Sequence, residues 1–435
     1  MAKTRYRRLL VALVLLAGVG HEQAVRPASR TQISASPQQT YELINGQWFD
    51  GTSFNLTTFY SVDGLLTQKK PSTIDQTIDL AGGYVVPPFG DAHTHHFDSP
   101  ANVSQQIDMY LHDGVFYAKV MTDIRSGALQ VASRLNNPTS VDVSYAHGGL
   151  TGSHSHPIPG YEARALGILG TVQERANADT IRASRLREND AYYIIDTAAD
   201  IENKWPLILE GQPDFIKVYL LDSEGYKERK QHTGEGGGID PKLLPEIIAR
   251  AHKAGLRVSA HVDSAADYHA ALVAGVDEMA HIPGYFISDA DDVKKFAISA
   301  EDGQLTAKGG VFVIPTASAY AGMAPAEKTQ RVREMQLRNL RLLKNAGVKF
   351  GVGPDIYGKT PLIEATYLHQ LGVFSNLELL KMWCENTPED IFPKRKIGRL
   401  QEGYEASFIV LPTNPVENFD AVNAIKLRFK QGHLL

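Results

Sequence analysis

Apolar and polar positions alternate with different periods along the chain. Between residues 41 and 82 the apolar runs are short and broken by turn residues. The stretch YELINGQWFDG carries Asn45-Gly46 and Asp50-Gly51, both hairpin signals, and predicts short strands. From about Gly83 short apolar runs alternate with helical stretches. The runs YVVPPF, VFYAKVM, VDVSYA, DFIKVYLL, RVSAHV, DEMAHI, VFVIPT and VKFGVG predict strands. Helices are predicted between them at PKLLPEIIARAHKAG, SAADYHAALVAG and QRVREMQLRNLRLLKNAG, where a final Gly acts as a stop signal. Eight strands alternating with helices over about 300 residues predict an α/β fold, a (β/α)8 TIM-type barrel rather than an open sheet. After Arg399 the strand texture returns in ASFIVLP and AIKLRFKQGHLL. The two chain ends are therefore expected to pair as one small β-sandwich. The expected division is 41–82 and 396–435 for the sandwich and 83–395 for the barrel.

The N-terminus differs in kind. Lys3, Arg5, Arg7 and Arg8 precede an apolar run from Leu9 to Gly20. Such a run is short for a membrane span and suits a secretory signal over 1–24, with cleavage after Gly20 or Ala24. An uncleaved anchor is the competing reading. Residues 25–40 are polar, rich in Pro, Ser and Gln, and read as a linker. The expected location is the periplasm or the exterior, with no membrane attachment once the signal is removed. A net charge of -5 and the lack of a long basic run in the mature region argue against nucleic acid as a partner. The expected partner is a small-molecule substrate, and a homo-oligomer is compatible with the composition. Cys384 is the single cysteine, so no internal disulfide can form. Its helical surroundings suggest a buried apolar role. The GEGGG at 234–238 lacks the Lys-Ser or Lys-Thr of a phosphate loop.

Candidate chemistry begins at VVPPFGDAHTHHFD. His93 and His95 are two apart, so on a strand they share a face, while His96 points away. At the end of a first barrel strand the pair would meet at the mouth, where such barrels place their active sites. Two neutral imidazoles side by side begin a metal site. His261 and His281 each end a predicted strand. Asp355 ends the last one and reads as a ligand, a general base or a helix cap for the stretch beginning near Thr360. Lys217 lies inside an apolar strand, where a charged ammonium is costly. It either pairs or snorkels, or it takes up carbon dioxide as an anionic carbamate able to bridge two metals. Tyr219 shares its face and is a candidate substrate contact. His147, His154 and His156 lie among Gly, Ser, Thr and Pro, which reads as a long loop after strand three. His156 is the candidate there for touching a substrate carboxylate or carbonyl.

Together the segments VVPPFGDAHTH, DFIKVYL, SAHVDSAADYHAALVAGVDEMAHIPG, FGVGPD and IGRLQEGYEASFIVLPTNP resemble the amidohydrolase superfamily of metal-dependent hydrolases. The IK strand is similar to the prolidase-like, imidazolonepropionase-related branch. The resemblance implies a metal-bearing barrel with a composite β-sandwich. It implies two divalent ions, zinc by expectation, one held by His93, His95 and Asp355 and the other by His261 and His281. A carbamylated Lys217 would bridge them. Two departures stand out. Ser407 replaces a customary acid in the sandwich, and Ser264 stands where mononuclear deaminases often carry Glu or Gln. The implied activity is hydrolysis of an amide-type C–N bond by an activated water, with Asp355 as general base and acid and a dipeptide or N-acyl amino acid as substrate. The competing readings are a mononuclear deaminase or cyclic amidase, a lactonase or esterase, and a non-catalytic binding protein.

Overall fold

Strand β1 (Tyr41–Phe49) turns Tyr41, Leu43 and Trp48 inward, the period-2 pattern of a half-buried strand. The computed structural model that shows this describes residues 39–233, 237–285, 287, 291–319 and 326–435. The expected signal sequence and most of the linker lie outside the described residues. Asp50-Gly51 forms the expected turn into β2 (Phe54–Val62), with the Asp50 carboxylate accepting the Thr52 and Ser53 amides. Asn45-Gly46 does not form a hairpin. It is a bulge inside β1, where the register with β2 shifts and Asn45 takes a φ of 58°. A Cβ on Gly46 would sit 2.7 Å from both Leu80 and Trp48, so glycine serves close packing here rather than chain reversal. Strands β3 (Leu65–Thr67), β4 (Gln76–Asp79) and β5 (Tyr84–Val86) follow, and both β4 and β5 pair parallel to β1.

The expected first barrel strand, YVVPPF, is two strands. Pro87 and Pro88 donate no amide, so the ladder ends at Val86 and a new strand, β6 (Phe89–Thr94), begins after them. Strands β6, β7 (Val115–Val120) and β8 (Asp142–Tyr145) form a parallel three-stranded sheet. Next come β9 (Gly149–Thr151), β10 (Tyr192–Ile194), β11 (Ile216–Tyr219), β12 (Val258–His261), β13 (Glu278–Met279) and β14 (Phe312–Val313). These build a second parallel sheet in the order β10-β9-β11-β12-β13-β14. The ladders are two open sheets, but hydrogen bonds reach across both gaps. The Asp214 amide donates to the Tyr145 carbonyl at 2.8 Å. On the other side Gly351 donates to Val313 at 2.9 Å, and Ala92 of β6 donates to Val352 at 2.8 Å. The expected eighth strand, VKFGVG, is this segment, bridged to Val313 at Phe350.

The expected long loop around His147–His156 contains β9 and runs into helix Ile158–Ala165. Glycine misled the reading. Gly149 lies in β9 because a Cβ there would collide with the Tyr219 ring and Thr122. The three predicted helices appear as Leu244–Lys253, Ala265–Ala274 and Ala326–Asn345. Ser264 and Asp267 cap the second reciprocally, and Gly275 ends it at φ 93°. Strands β15 (Phe408–Leu411), β16 (Leu427–Lys430) and β17 (His433–Leu434) return to the terminal sheet. There β15 pairs antiparallel to β5, so both chain ends share one eight-stranded mixed sheet. Trp48 packs on Phe59 at 4.5 Å and on Phe408 at 5.2 Å, joining strands from the two ends of the chain in one core. Cys384 is buried in a π-helical turn, Met382–Asn386, whose Trp383 stacks on Phe89 and donates to the Gly90 carbonyl. That contact anchors the base of the strand carrying His93. No helix among the described residues is long and apolar enough to cross a membrane.

Candidate metal centre

His93 lies near the end of β6 and His95 just beyond it, so the strand delivers both imidazoles to one place. Asp355 meets them from the segment after Val352, whose carbonyl accepts the Ala92 amide of β6. Its Oδ1 is 3.0 Å from His95 Nε2 and 3.5 Å from His93 Nε2. One ligand-type atom from each of the three lies within 4.8 Å of the others, as a shared cation requires. The backbone is bent for this purpose. Asp355 has a φ of 53°, uncommon for a residue with a Cβ, and its amide donates to the His93 carbonyl. Asp355 caps no helix, since Pro361 occupies the cap position of helix Leu362–Leu371.

The imidazoles are oriented from behind. His93 Nδ1 donates to the Ala280 carbonyl at 3.0 Å and His95 Nδ1 to the Thr122 carbonyl at 2.9 Å. A carbonyl accepts only, so each Nδ1 carries a proton; a neutral ring then presents its Nε2 lone pair to a cation, an atom that in His95 now bonds Asp355. His281 stands next to His93, with ring centres 4.8 Å apart, and its Nε2 is 3.9 Å from Asp355 Oδ2. His261 packs edge-on against His281 at 4.4 Å. Its Nε2 is engaged by Asp263 at 3.0 Å, and Tyr285 also donates to that carboxylate. This leaves Nδ1 of His261 for a ligand role.

The electrostatics fit a cation-binding cradle. Burial pushes His93 and His281 well below the ordinary imidazole value, so both are neutral donors. His95 is also desolvated, but its bond to Asp355 outweighs that and raises its pKa. Burial alone would raise Asp355; His93 and the His95 bond instead hold it below the usual carboxylate range. Lys217 on β11 is 1% exposed, and its Nζ has no hydrogen-bond partner among the described residues. Burial lowers its pKa to about 7. The Nζ lies over the Tyr219 ring, 5.3 Å from its centroid, and feels the Asp355 charge, so a buried amine without a hydrogen-bond partner stands near the candidate ligands.

The loop histidines separate. His156 reaches the site, 5.1 Å from the His261 ring and 5.2 Å from Tyr219. Desolvation by the pocket walls, then His261, lowers its pKa. Tyr219 donates or accepts at Thr122 Oγ1, 3.0 Å away. His147 is tied by both its amide and Nδ1 to Asp123, and His154 bonds to the Arg182 carbonyl, so neither joins the centre. His96 turns away as expected. It accepts from the Gly358 amide and contacts Tyr110 and Thr94. A pocket of about 140 Å³ opens over the site, lined by His95, His156, Tyr219 and Asp355. Tyr161, Arg164 and Tyr357 also line it, and the sequence reading missed all three. Only Tyr357 left a signal, two residues after Asp355.

The Amidohydrolase family model matches residues 222–435, the segment carrying His261, His281 and Asp355. Residues 222–435 therefore match the Amidohydrolase family, and the chain shares its fold with solved amidohydrolases. Ochratoxinase from Aspergillus niger is 30% identical over 226 residues, covering 50% of this chain and 46% of that protein. The match therefore spans about half the length of that curated relative. The crystal structure of A. niger ochratoxinase superposes over 92% of this chain and 96% of that one, with a TM-score of 0.69 at 18% identity. A prolidase complexed with N-methylphosphonate-L-proline covers 91% of this chain and 99% of its own, with a TM-score of 0.66 at 17% identity. Molinate hydrolase gives 0.68 at 15%, over 92% and 95% of the two chains. These structures share the amidohydrolase fold, a TIM-barrel catalytic domain with a sheet domain.

Proposed function

We propose that this protein is a metal-dependent hydrolase of amide-type C–N bonds, with a dipeptide or an N-acyl amino acid as substrate. The observation that carries this is the convergence of His93, His95 and Asp355 on one point beside the unpartnered amine of Lys217. The match of residues 222–435 to the Amidohydrolase family and likeness to ochratoxinase, prolidase and molinate hydrolase support it. In this reading the hydrogen bonds across both sheet gaps close a (β/α)8 barrel around the site.

His93, His95 and Asp355 would hold one divalent ion and His261 with His281 a second, with carbamylated Lys217 between them and zinc the metal suited to this donor set. Bound there, such ions supply Lewis acidity toward a carbonyl and lower the pKa of water from 15.7 toward about 7. The chain supplies the rest. Asp355 takes a proton from the attacking water at its carboxylate and returns it to the leaving nitrogen. His156, neutral in its pocket, and Tyr219 are placed to orient the substrate carbonyl. Ser264 is buried and caps helix Ala265–Ala274, so it offers no acid for deaminase chemistry. Export over residues 1–24 remains part of the proposal, supported by the basic start and apolar run.

Metal analysis with a screen of dipeptides and N-acyl amino acids tests the reading. Close to two ions per chain and release of a free amino acid are the expected results. One ion per chain, with bicarbonate and metal in excess, would remove the bridging role of Lys217.

A further inference from the structure

The pocket over the metal centre contains one permanent cation, and its placement selects a substrate class. Arg164 projects from helix Ile158–Ala165 into the lining shared with His95, His156, Tyr219 and Asp355. Its guanidinium lies over the Tyr357 ring, 4.3 Å from the centroid, and its Nη1 donates to the Tyr357 hydroxyl at 2.7 Å. Tyr357 in turn stacks on His95, with ring centres 5.8 Å apart and planes 30° apart. A single aromatic ring thus separates the cation from a residue of the candidate centre.

Arg164 makes no ion pair among the described residues. The acid whose field reaches it, Asp98, is otherwise engaged, accepting the Ile124 amide at 3.0 Å. A guanidinium has five N–H donors in a planar fork that matches a carboxylate. Stacking on Tyr357 holds the plane of that fork while one donor is used on the hydroxyl, which leaves the others for a ligand. In an N-acyl amino acid or dipeptide, the terminal carboxylate lies two bonds from the scissile nitrogen. A substrate whose carbonyl rests at the centre would carry that carboxylate a short way along the pocket wall.

We infer that Arg164, stacked on Tyr357, pairs with the free α-carboxylate of the leaving amino acid and restricts the enzyme to substrates that end in one. The inference rests on the amide-hydrolase reading above and narrows it. Neutral amides, lactones and esters lacking a carboxylate would leave the guanidinium without its partner.

The test compares metal-loaded wild type and variants on N-acetyl-L-amino acids and L,L-dipeptides, each against its own C-terminal carboxamide. Wild type should prefer the acid by about 100-fold in kcat/KM, the range for a hydrogen-bonded charge pair. Arg164→Met should collapse this preference chiefly through KM, because the contact is made before and during the reaction alike. Arg164→Lys keeps a point charge but loses the fork, so it should retain part of the preference and remains informative if the Met variant folds poorly. Equal hydrolysis of acid and amide by wild type overturns the inference and leaves amide hydrolysis standing. Equal losses on both substrates in Arg164→Met and Arg164→Lys also overturn it, showing a structural role. A fully metallated wild type that cleaves neither set refutes the amide-hydrolase reading, and the role of Arg164 with it.

Discussion

Two lysines are buried on strands of the parallel sheets, and the protein treats them oppositely. Lys119 on β7 and Lys217 on β11 are 3% and 1% exposed. Lys119 is surrounded by acids. Its Nζ lies 2.5 Å from Glu278 and 3.0 Å from Asp390, and Arg257 adds a further bond to Asp390 at 2.6 Å. Lys217 has no hydrogen-bond partner for its Nζ among the described residues. A buried charge costs free energy unless it is paired. The chain meets that requirement beside helix Thr387–Ile391 and leaves it unmet beside the histidines. The difference separates a charge paired within the architecture from the amine that the proposed function assigns to chemistry.

The largest expected effect sharpens the chemical side of this contrast. Asp355→Asn keeps the shape but removes the basic oxygen, so turnover at saturating metal should fall by 10²–10⁴-fold, as for a general acid–base group. Near wild-type turnover in a folded, metallated variant would make Asp355 a structural residue. Lys217→Met comes next. Activity should drop by more than the roughly 100-fold upper range seen for outer-shell partners. Its melting temperature, measured without metal, should hold or rise, because an unpartnered buried amine is gone. Lys119→Met should do the reverse. It strands Glu278, leaving Asp390 on Arg257 alone, and should cost about 3–5 kcal/mol in denaturant unfolding, while the folded fraction keeps its turnover. If the two lysine variants behave alike, the contrast fails.

The smallest effect concerns pH. Burial moves the Lys217 amine from its ordinary 10.5 down to about 7. Between those values the unfolded chain binds a proton that the folded chain releases. Stability of metal-free protein in carbonate-free buffer should therefore rise with pH across that window, by a few kcal/mol at most. The rise should be absent in Lys217→Met. Parallel unfolding free energies for the two proteins at pH 7 and pH 9.5 would show that Lys217 is not the group responsible.

Much of the site was legible because strand ends announce themselves. His93, His95, His261 and His281 each follow a short apolar run, and a run ending in a ligand-type residue places that residue at a barrel mouth. Tyr219 was found by the same period-2 argument from Lys217, and both lie buried on β11. The helices were legible from their apolar periodicity and their terminal glycines. Glycine and proline were the weak signals. Asn45-Gly46 reads as a hairpin and is a bulge, Gly149 reads as loop and is strand, and Pro87-Pro88 divides a run that looked continuous. In each case the local text allows two conformations, and packing against distant side chains chooses between them.

By itself the sequence determined which residues lie at the ends of successive strands, and therefore the donor set of the candidate centre. That information is local, because strand period and strand termination depend on neighbours in the chain. Only the tertiary structure decided how charges and cations are partnered. Lys119 finds Glu278 and Asp390 at separations of 159 and 271 residues, and Arg164 finds Tyr357 at 193. Nothing in a heptad or an alternating run encodes such meetings. They follow from the parallel pairing of strands within the two sheets and across the gaps between them, which brings side chains remote in sequence together. The same pairing leaves the Lys217 Nζ without a hydrogen-bond partner among the described residues.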